Sequence, residues 1–220
     1  MKIEKYIPTS LIDYPQHIAT VVFTIGCNWD CWYCQNRPLL SQNEPSTTIA
    51  EFFDFLRSRQ QWLDGVVVCG GEPTLHPDLF DFIKDIKSLG YDVKLDTNGS
   101  HPEVISRLLE ANLLDYIAMD IKAPLSRYDC ICGRKVDIEA IQQSIHIIKN
   151  SNIDYEFRTT VSPDLGISDL LDIAKLIQGA RIYYLQQYIP INNSCPPAHP
   201  LNVLQDAVAR CNDITFTKLR

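Results

Sequence analysis

A regular alternation of strand-like and helix-like segments constrains this chain more than any other feature of its sequence. Six short runs rich in β-branched and aromatic residues are separated by stretches with a helical period, and Gly, Pro or Asn marks most junctions. Several of these runs are almost continuously apolar, which is typical of parallel strands covered on both faces. The predicted strands are 19–25, 65–69, 91–96, 115–120, 153–161 and 181–187.

The segments between these strands predict helices. They cover residues 49–59, 77–89, 102–111, 138–149, 168–178 and 201–210, and a short apolar tail follows over 214–219. Strict alternation implies parallel strands joined by right-handed crossovers, so residues 1–220 are predicted to form a single α/β domain. A doubly wound sheet and a partial (β/α)6 barrel both fit, and in both the active site lies at the carboxyl ends of the strands.

Charge and cysteine content narrow the classes of function. The chain has 20 Lys and Arg against 27 Asp and Glu, a net charge of -7, which argues against a nucleic acid or an anionic membrane as partner. Charges at Lys2, Glu4 and Lys5 are unlike a signal peptide, so a cytoplasmic location is expected. Because the cytosol keeps thiols reduced, a close group among the eight cysteines is expected to bind a metal or do chemistry rather than form disulfides.

Three cysteines with CxxxCxxC spacing follow the first predicted strand. Cys27, Cys31 and Cys34 lie close enough in sequence for one loop to wrap them around a single inorganic centre. A [4Fe–4S] cluster usually takes four cysteines, so three would leave one iron open to a substrate or cofactor. The alternatives are a zinc site, which would want a fourth Cys or His, and a set of unconnected buried thiols. The nearest histidines in sequence, His17 and His76, are unpaired, which disfavours zinc.

Polar motifs stand at the ends of the next four predicted strands. They are Gly70-Gly71-Glu72-Pro73, Asp96-Thr97-Asn98-Gly99, Asp120-Ile121-Lys122 and Arg158-Thr159-Thr160-Val161. Taken singly, the first three fit ordinary turns and helix caps. An Arg within an apolar strand is expensive to bury unpaired, so Arg158 is expected to have a carboxylate partner, either a structural Asp or a ligand.

The cysteine loop together with the Gly-Gly-Glu-Pro turn resembles the radical S-adenosylmethionine (SAM) enzymes. The resemblance implies a [4Fe–4S] cluster whose open iron chelates SAM, Tyr33 beside the adenine, and Glu72 accepting a bond from the SAM ammonium. In such enzymes the reduced cluster splits SAM to methionine and a 5′-deoxyadenosyl radical, which abstracts hydrogen from the substrate. The cofactors supply this chemistry while the protein positions and shields them.

The whole series of strand-end motifs resembles the glycyl-radical-enzyme activases, and with Leu11-Ile12-Asp13-Tyr14-Pro15 it is most similar to the activating proteins of anaerobic ribonucleoside-triphosphate reductase. The resemblance implies a partner glycyl radical enzyme as substrate, with Asp13 facing its glycine loop, and an electron donor such as a flavodoxin or ferredoxin. It also implies cluster ligands at Cys27, Cys31 and Cys34 and SAM contacts from Tyr33, Gly70, Gly71, Glu72, Asp96, Asn98, Asp120, Lys122 and Arg158.

The chain departs from this pattern in two places. Residues 185–190 contain no His, although a His follows the sixth strand in the lyase-activating branch, and residues 37–45 are too few for the ferredoxin-like cysteine array of the larger activases. Two other functions stay open. One is a radical SAM enzyme with a small-molecule substrate, similar to 7-carboxy-7-deazaguanine synthase, and the other is a non-catalytic iron–sulfur electron carrier, which would need a fourth cluster ligand.

The remaining cysteines are expected to be structural. Cys69 and Cys211 fit core positions, where a free Cys behaves as a small hydrophobe. Cys130, Cys132 and Cys195 could gather a second metal or form a redox pair, but structural or incidental roles are favoured for them.

Overall fold

The strands form one sheet of eight, in sequence order, in a computed structural model that describes residues 1–41 and 44–220. The first strand runs antiparallel to the second, and every later pair of neighbours is parallel. Their bounds are β1 Ile3–Ser10, β2 Ala19–Thr24, β3 Gly65–Gly70, β4 Asp92–Thr97, β5 Tyr116–Asp120, β6 Asp154–Val161, β7 Tyr183–Gln187 and β8 Thr217–Leu219.

Helices occupy most of the connections between the parallel strands. They are α1 Pro38–Ser41, α2 Ile49–Arg59, α3 Leu79–Ser88, α4 Pro102–Glu110, α5 Tyr128–Cys132, α6 Ile138–Lys149, α7 Ile167–Leu176 and α8 Leu201–Asn212. Local signals fix several boundaries. For example, Thr48 accepts a hydrogen bond from the Glu51 amide while the Glu51 carboxylate accepts one from the Thr48 amide, a reciprocal cap that starts α2. In the part of the chain described, none of the helices has the length and apolar character that crossing a membrane requires.

The predicted parallel α/β architecture is confirmed, with two differences. The sheet has two more strands than expected, because β1 was not predicted and β8 was predicted only as an apolar tail. The cysteine loop therefore follows the second strand of the chain, although it is still the first loop after a parallel strand. The short helices α1 and α5 were also not predicted.

The sheet curves, as a partial barrel requires. Gln35, which follows β2, donates its side-chain amide to the carbonyl of Ile189, which follows β7, at 2.7 Å. On the inner face, Arg158 of β6 reaches Asp96 of β4 at 2.9 Å. Among the described residues no ladder of hydrogen bonds joins β8 to β1, so the sheet is open along that side.

Both faces of the sheet are covered, because alternate residues of each strand point to opposite sides. The outer face joins the helices in the main core, where Val22 and Val68 belong to the same cluster as Phe52 and Ile83. On the inner face a smaller cluster contains Tyr14, Ala19, Val21 and Val67. The inner face is thus apolar at the amino ends of β2 and β3.

Candidate functional site

A cavity of about 400 Å³ lies on the inner side of the curved sheet. Its walls include residues from β2 to β7 and from the loops at their carboxyl ends. The structure brings together around it every residue for which the sequence predicted a role: Asp13, Cys27, Cys31, Tyr33, Cys34, Gly70, Gly71, Glu72, Asp96, Asn98, Asp120, Lys122 and Arg158.

The cysteine loop is held from several sides by hydrogen bonds. The amide of Gly26 donates to the carbonyl of Leu39 at 3.0 Å, which ties the start of the loop to α1. Arg37 donates to the carbonyl of Cys31 at 3.3 Å and pairs with Asp30 at 2.7 Å. At the far side, the indole of Trp32 donates to Asp164 at 2.8 Å. The loop is therefore fixed to the end of β6 as well as to its own strand.

The three thiols of the loop differ in environment. Burial raises the pKa of Cys27 to about 11 and also raises the pKa of Cys34. The pKa of Cys31 is lowered, chiefly by the neighbouring Cys132 thiol. The buried ammonium of Lys122 favours the thiolate at each of the three positions.

The described residues contain no group of three His, Cys, Asp or Glu side chains gathered tightly enough to hold a single metal ion. That criterion concerns one ion. Each cysteine of a [4Fe–4S] cluster binds its own iron, so the ligands of a cluster need not converge on one point.

Two glycines allow the end of β3 to pack directly against the start of the cysteine loop. A Cβ at Gly71 would stand 1.9 Å from the carbonyl oxygen of Gly26, and a Cβ at Gly70 would stand 2.2 Å from the amide nitrogen of Thr24. Gly70 also has φ +123°, a value that side chains disfavour. A hydrogen bond from the Glu72 amide to the Gly26 carbonyl at 2.8 Å stabilises this close approach.

The Glu72 carboxylate is fully buried and is used by protein donors. It accepts from the Asn98 amide at 2.6 Å, from the Thr97 hydroxyl at 2.8 Å and from both the amide and hydroxyl of Thr74. Burial raises the pKa of Glu72, although these hydrogen bonds oppose the rise. A carboxylate has about four lone-pair directions, so any ligand ammonium would have to share an oxygen with these donors. The Glu72 carboxylate therefore joins the ends of β3 and β4.

Arg158 links two carboxylates from neighbouring strands. Its Nε donates to Asp120 on β5 at 2.9 Å, and its Nη1 donates to Asp96 on β4 at 2.9 Å. Burial alone would raise the pKa of both aspartates, but Arg158 together with Lys94 at Asp96 and with Lys122 at Asp120 outweighs it, so both values are lowered. The carboxylate partner that the sequence required for Arg158 is thus a structural Asp on each side.

Tyr33 and Asn98 complete the wall next to the cysteines. The ring of Tyr33 is buried, and among the described residues its hydroxyl finds no hydrogen-bond partner. Asn98 donates its side-chain amide to Asn28 in the cysteine loop at 2.9 Å. Where the lyase-activating branch has a His, this cavity is lined by Gln186, Gln187 and Ile189.

Asp13 lies at the opposite end of the cavity from the cysteines. It stands in the connection between β1 and β2, at the amino end of β2, and it accepts a hydrogen bond from the Ser10 hydroxyl. Between the two ends the cavity wall is formed by inward-facing residues of β2 and β3, among them Phe23 and Cys69. The cavity therefore follows the inner face along the length of the parallel strands.

The donors around this cavity fit the expected cofactors. Soft thiolates are the ligands that iron–sulfur clusters take, and the three thiols line the cavity beside a buried cation. Ionised carboxylates and amide groups suit the hydroxyls and ammonium of SAM, while Lys122 suits its carboxylate. The unpartnered Tyr33 hydroxyl is a buried polar atom that a ligand could satisfy.

The structure places one of the remaining cysteines next to this site. Cys132 is fully buried, and its carbonyl accepts a hydrogen bond from the amide of Asp30 in the cysteine loop at 2.9 Å. The only indication of this position in the sequence is Tyr128. It stands four residues before Cys132, so the two side chains lie on one face of a helical turn. Cys130, by contrast, is exposed.

Comparisons with known proteins agree with this geometry. The model of the family described as the radical SAM superfamily matches residues 21–177. A Methanocaldococcus jannaschii protein, named as a candidate glycyl-radical enzyme activating enzyme, is 37% identical over 190 residues, which cover 82% of this chain and 77% of that protein. A 7-carboxy-7-deazaguanine synthase of Halobacterium salinarum is 35% identical over 84 residues, 37% of this chain and 32% of that protein.

Solved structures share the fold. A domain of the pyruvate-formate lyase-activating enzyme from Bacteroides vulgatus has a TM-score of 0.57 at 20% identity, with 71% of this chain and 98% of that chain covered.

Proposed function

Because this chain belongs to the radical SAM superfamily, we propose that it activates a glycyl radical enzyme, and specifically an anaerobic ribonucleoside-triphosphate reductase. Its cofactors are those of the superfamily, a [4Fe–4S] cluster and SAM. When bound, they supply reductive cleavage of SAM and abstraction of a hydrogen atom. The proposed hydrogen donor is the α-carbon of a glycine in the partner, and the proposed reductant is a flavodoxin or ferredoxin.

The observation that carries the proposal is the single cavity that extends from the cysteine loop to Asp13. The cysteines stand at the carboxyl ends of the parallel strands and Asp13 at the amino end of β2. A cofactor held at one end would leave the other end for a second reactant, and the open side of the sheet gives a polypeptide loop room that a closed barrel would deny. The relative named for glycyl-radical enzyme activation supports the same partner class.

The residues around the cavity take the following proposed roles. Cys27, Cys31 and Cys34 hold the cluster. Tyr33, Gly70, Gly71, Glu72, Asp96, Asn98, Asp120, Lys122 and Arg158 bind or orient SAM. Among them Glu72 acts on SAM chiefly by fixing the main chain of its turn, since its oxygens already accept four hydrogen bonds from the protein.

The ion pairs of Arg158 fix the protonation of the cavity wall. Because Arg158 lowers the pKa of Asp96 and of Asp120, both carboxylates stay ionised at neutral pH and act as hydrogen-bond acceptors. Held at 2.9 Å on each side, Arg158 also keeps the two carboxylates at a constant separation. The polar wall is therefore preorganised before any ligand enters.

Aromatic side chains exclude water from the cysteine end. The ring of Trp32 lies 5.7 Å from Tyr33 and 5.6 Å from Tyr188. Tyr33 and Tyr188 are both buried. An apolar wall of this kind protects reactive intermediates from solvent.

A second candidate function is supported by the similarity to 7-carboxy-7-deazaguanine synthase, which covers 37% of this chain. In that case the substrate would be a small molecule held entirely within the cavity. The two candidates differ in whether SAM cleavage depends on a partner protein.

The test compares SAM cleavage by the anaerobically reconstituted protein with and without the candidate reductase. Alone, the protein should form 5′-deoxyadenosine slowly, and the reductase should accelerate this reaction and acquire a stable doublet in the electron paramagnetic resonance spectrum. Asp13→Ala should reduce radical formation on the partner by about tenfold or more, as expected for lost positioning, with less effect on uncoupled cleavage. Asp85→Ala, on the exposed face of α3, is the matched control and should change neither.

If a small purine or pterin accelerates cleavage without a partner, and no reductase or lyase acquires a radical, the small-molecule function replaces the activase.

A further inference from the structure

Two uncharged polar side chains on the cavity wall have no hydrogen-bond partner in the described part of the chain. They belong to Thr160 of β6 and Gln186 of β7, and both residues line the cavity. None of the roles proposed above uses either residue. By contrast, the other amide side chains of the wall all donate to the protein: Gln35, Asn36, Asn98 and Gln187.

Thr160 and Gln186 stand side by side on the inner face of the sheet. They are direct partners in the parallel pairing of β6 with β7, and neighbouring strands lie only about 4.8 Å apart. Leu185, next to Gln186 along β7, is buried in the main core of the outer face, so Gln186 faces inward. The pair therefore presents a hydroxyl and a carboxamide together, beyond Arg158 towards the carboxyl end of β6.

An aromatic part of the cysteine loop reaches this end of β7. Gln35 donates to the carbonyl of Ile189 at 2.7 Å, and the ring of Trp32 lies 5.6 Å from Tyr188. Tyr33 belongs to the same part of the loop and lines the same cavity. The wall here thus combines an aromatic ring with uncharged hydrogen-bonding groups, whereas the ends of β4 and β5 present ionised side chains.

We propose that Gln186, with Thr160 beside it, determines the specificity of the site for the adenine base of SAM. The inference rests on the proposed function, because it takes SAM as the cofactor. The charged groups at the ends of β4 and β5 match the ammonium, carboxylate and hydroxyls of SAM, but they do not match a neutral, flat base. A carboxamide does match adenine, because its carbonyl accepts from the 6-amino group while its amide donates to an adjacent ring nitrogen.

Binding of a base makes the hydrogen bonds of this pair matter energetically. A bound base displaces solvent from the wall, and a polar group that then lacks a partner costs free energy. Adenine supplies the partner, whereas a base without the 6-amino group leaves the Gln186 carbonyl unsatisfied. A site of this kind rejects the incorrect ligand more strongly than its shape alone would.

The experiment measures ligand binding by equilibrium dialysis in the full chain, reconstituted anaerobically and kept oxidised so that SAM is not cleaved. The ligands are SAM and its purine analogue, which lacks the 6-amino group. The wild type should bind the analogue about fivefold more weakly or worse, the cost of leaving the Gln186 carbonyl without its donor. Gln186→Leu should bind SAM about five- to a hundredfold more weakly and should no longer distinguish the two ligands.

Two further variants separate recognition of the base from packing. Thr160→Val keeps the shape of the side chain but removes the hydroxyl, and it should weaken SAM binding about two- to tenfold. Gln142→Leu makes the same substitution as Gln186→Leu on the exposed face of α6 and should bind SAM as the wild type does. Iron content and circular dichroism establish that cluster and fold are retained in each variant.

Three outcomes would overturn the proposal. Unchanged SAM binding in Gln186→Leu would show that this residue does not contact the cofactor, and a loss of radical formation on the partner in the same variant would assign it to the peptide instead. Equal binding of SAM and the purine analogue by the wild type would contradict the proposal even if Gln186→Leu does not fold. A wild type that binds no SAM would remove the proposed function as well, which separates that failure from the first two.

Discussion

Arg158 is the side chain on which the polar wall of the cavity depends most. It is 12% exposed and neutralises two carboxylates that belong to two other strands. Because these ion pairs are largely shielded from solvent, removing Arg158 leaves each carboxylate with a single cation, Lys94 at Asp96 and Lys122 at Asp120, and removes the group that joins them. The consequence should be visible in stability as well as in ligand binding.

We predict that Arg158→Met lowers the free energy of unfolding by about 3–5 kcal/mol at pH 7. The folded pKa of Asp96 and of Asp120 lies below the ordinary value of 3.8, so their contribution is present above that value and is lost as pH falls through the folded pKa. The difference between variant and wild type should therefore shrink on acidification below about pH 4. Urea unfolding at a series of pH values measures it.

The control for this prediction is an exposed ion pair. Arg57 pairs with Asp54 at 2.7 Å on the surface of α2, and such pairs are worth about 0–1 kcal/mol. Arg57→Met should thus change stability little at any pH. A constant difference between Arg158→Met and the wild type across pH would contradict the assigned role of the two aspartates.

For single residues, the sequence predicted which side chains lie close together but not which hydrogen bonds and ion pairs join them. Cys27, Glu72, Asp96 and Asp120 could be placed at one edge of the sheet because parallel strands end together. That Glu72 is saturated by donors from its own turn and from the end of β4 depends on side-chain directions in three dimensions. The packing of Cys132 against the cysteine loop was hidden for the same reason.

The elements of the fold were predicted as far as their hydrophobic pattern is strong. The six central strands are apolar and β-branched, and α2 and α6 were predicted with the bounds observed. The edge strand β1 was missed because the six residues between its ends are exposed or half-buried and because it contains Pro8, which normally argues against a strand. Three-residue β8 and five-residue α5 are too short to show a period.

The close packing of β3 against the cysteine loop leads to a prediction about both elements. Gly71→Ala places a methyl group against the main chain of Gly26, which cannot yield without moving the loop. We expect the variant to retain less iron after anaerobic reconstitution and to unfold at a lower temperature. Iron per chain and thermal unfolding measure the two effects.

Gly166→Ala is the matched substitution for this test. A Cβ at Gly166 meets its nearest neighbour at 3.9 Å, an ordinary contact. Its iron content should equal that of the wild type. If Gly71→Ala also retains full iron and stability, the close approach is not needed to shape the loop.

The molecule as a whole surrounds the cavity, since β2 to β7 all contribute to its wall. A ligand that touches so many strands should stabilise the entire sheet. We predict that SAM at a hundred times its dissociation constant raises the stability of the cluster-loaded protein by about 2.7 kcal/mol. For a chain of this size that corresponds to about 5–10 °C in the unfolding midpoint.

The variant Cys34→Ser separates the contribution of the cluster to this stabilisation from the contribution of the polar wall. Without a cluster, SAM retains only the contacts from the polar wall, so the shift in midpoint at the same concentration should be smaller. An equal shift in the wild type and in Cys34→Ser would mean that SAM does not contact the cluster.

The ion pairs of Arg158 also bear on how the chain reaches this structure. Asp96 belongs to β4 and Asp120 to β5, but the guanidinium that compensates both arrives only with β6. A sheet assembled as far as β5 would keep the Lys94–Asp96 and Lys122–Asp120 pairs but would lack the guanidinium that joins the two carboxylates, so such a partial structure is less stable than the complete sheet. The charges at the centre of the barrel thus favour all-or-none folding of β4, β5 and β6 as one cooperative unit.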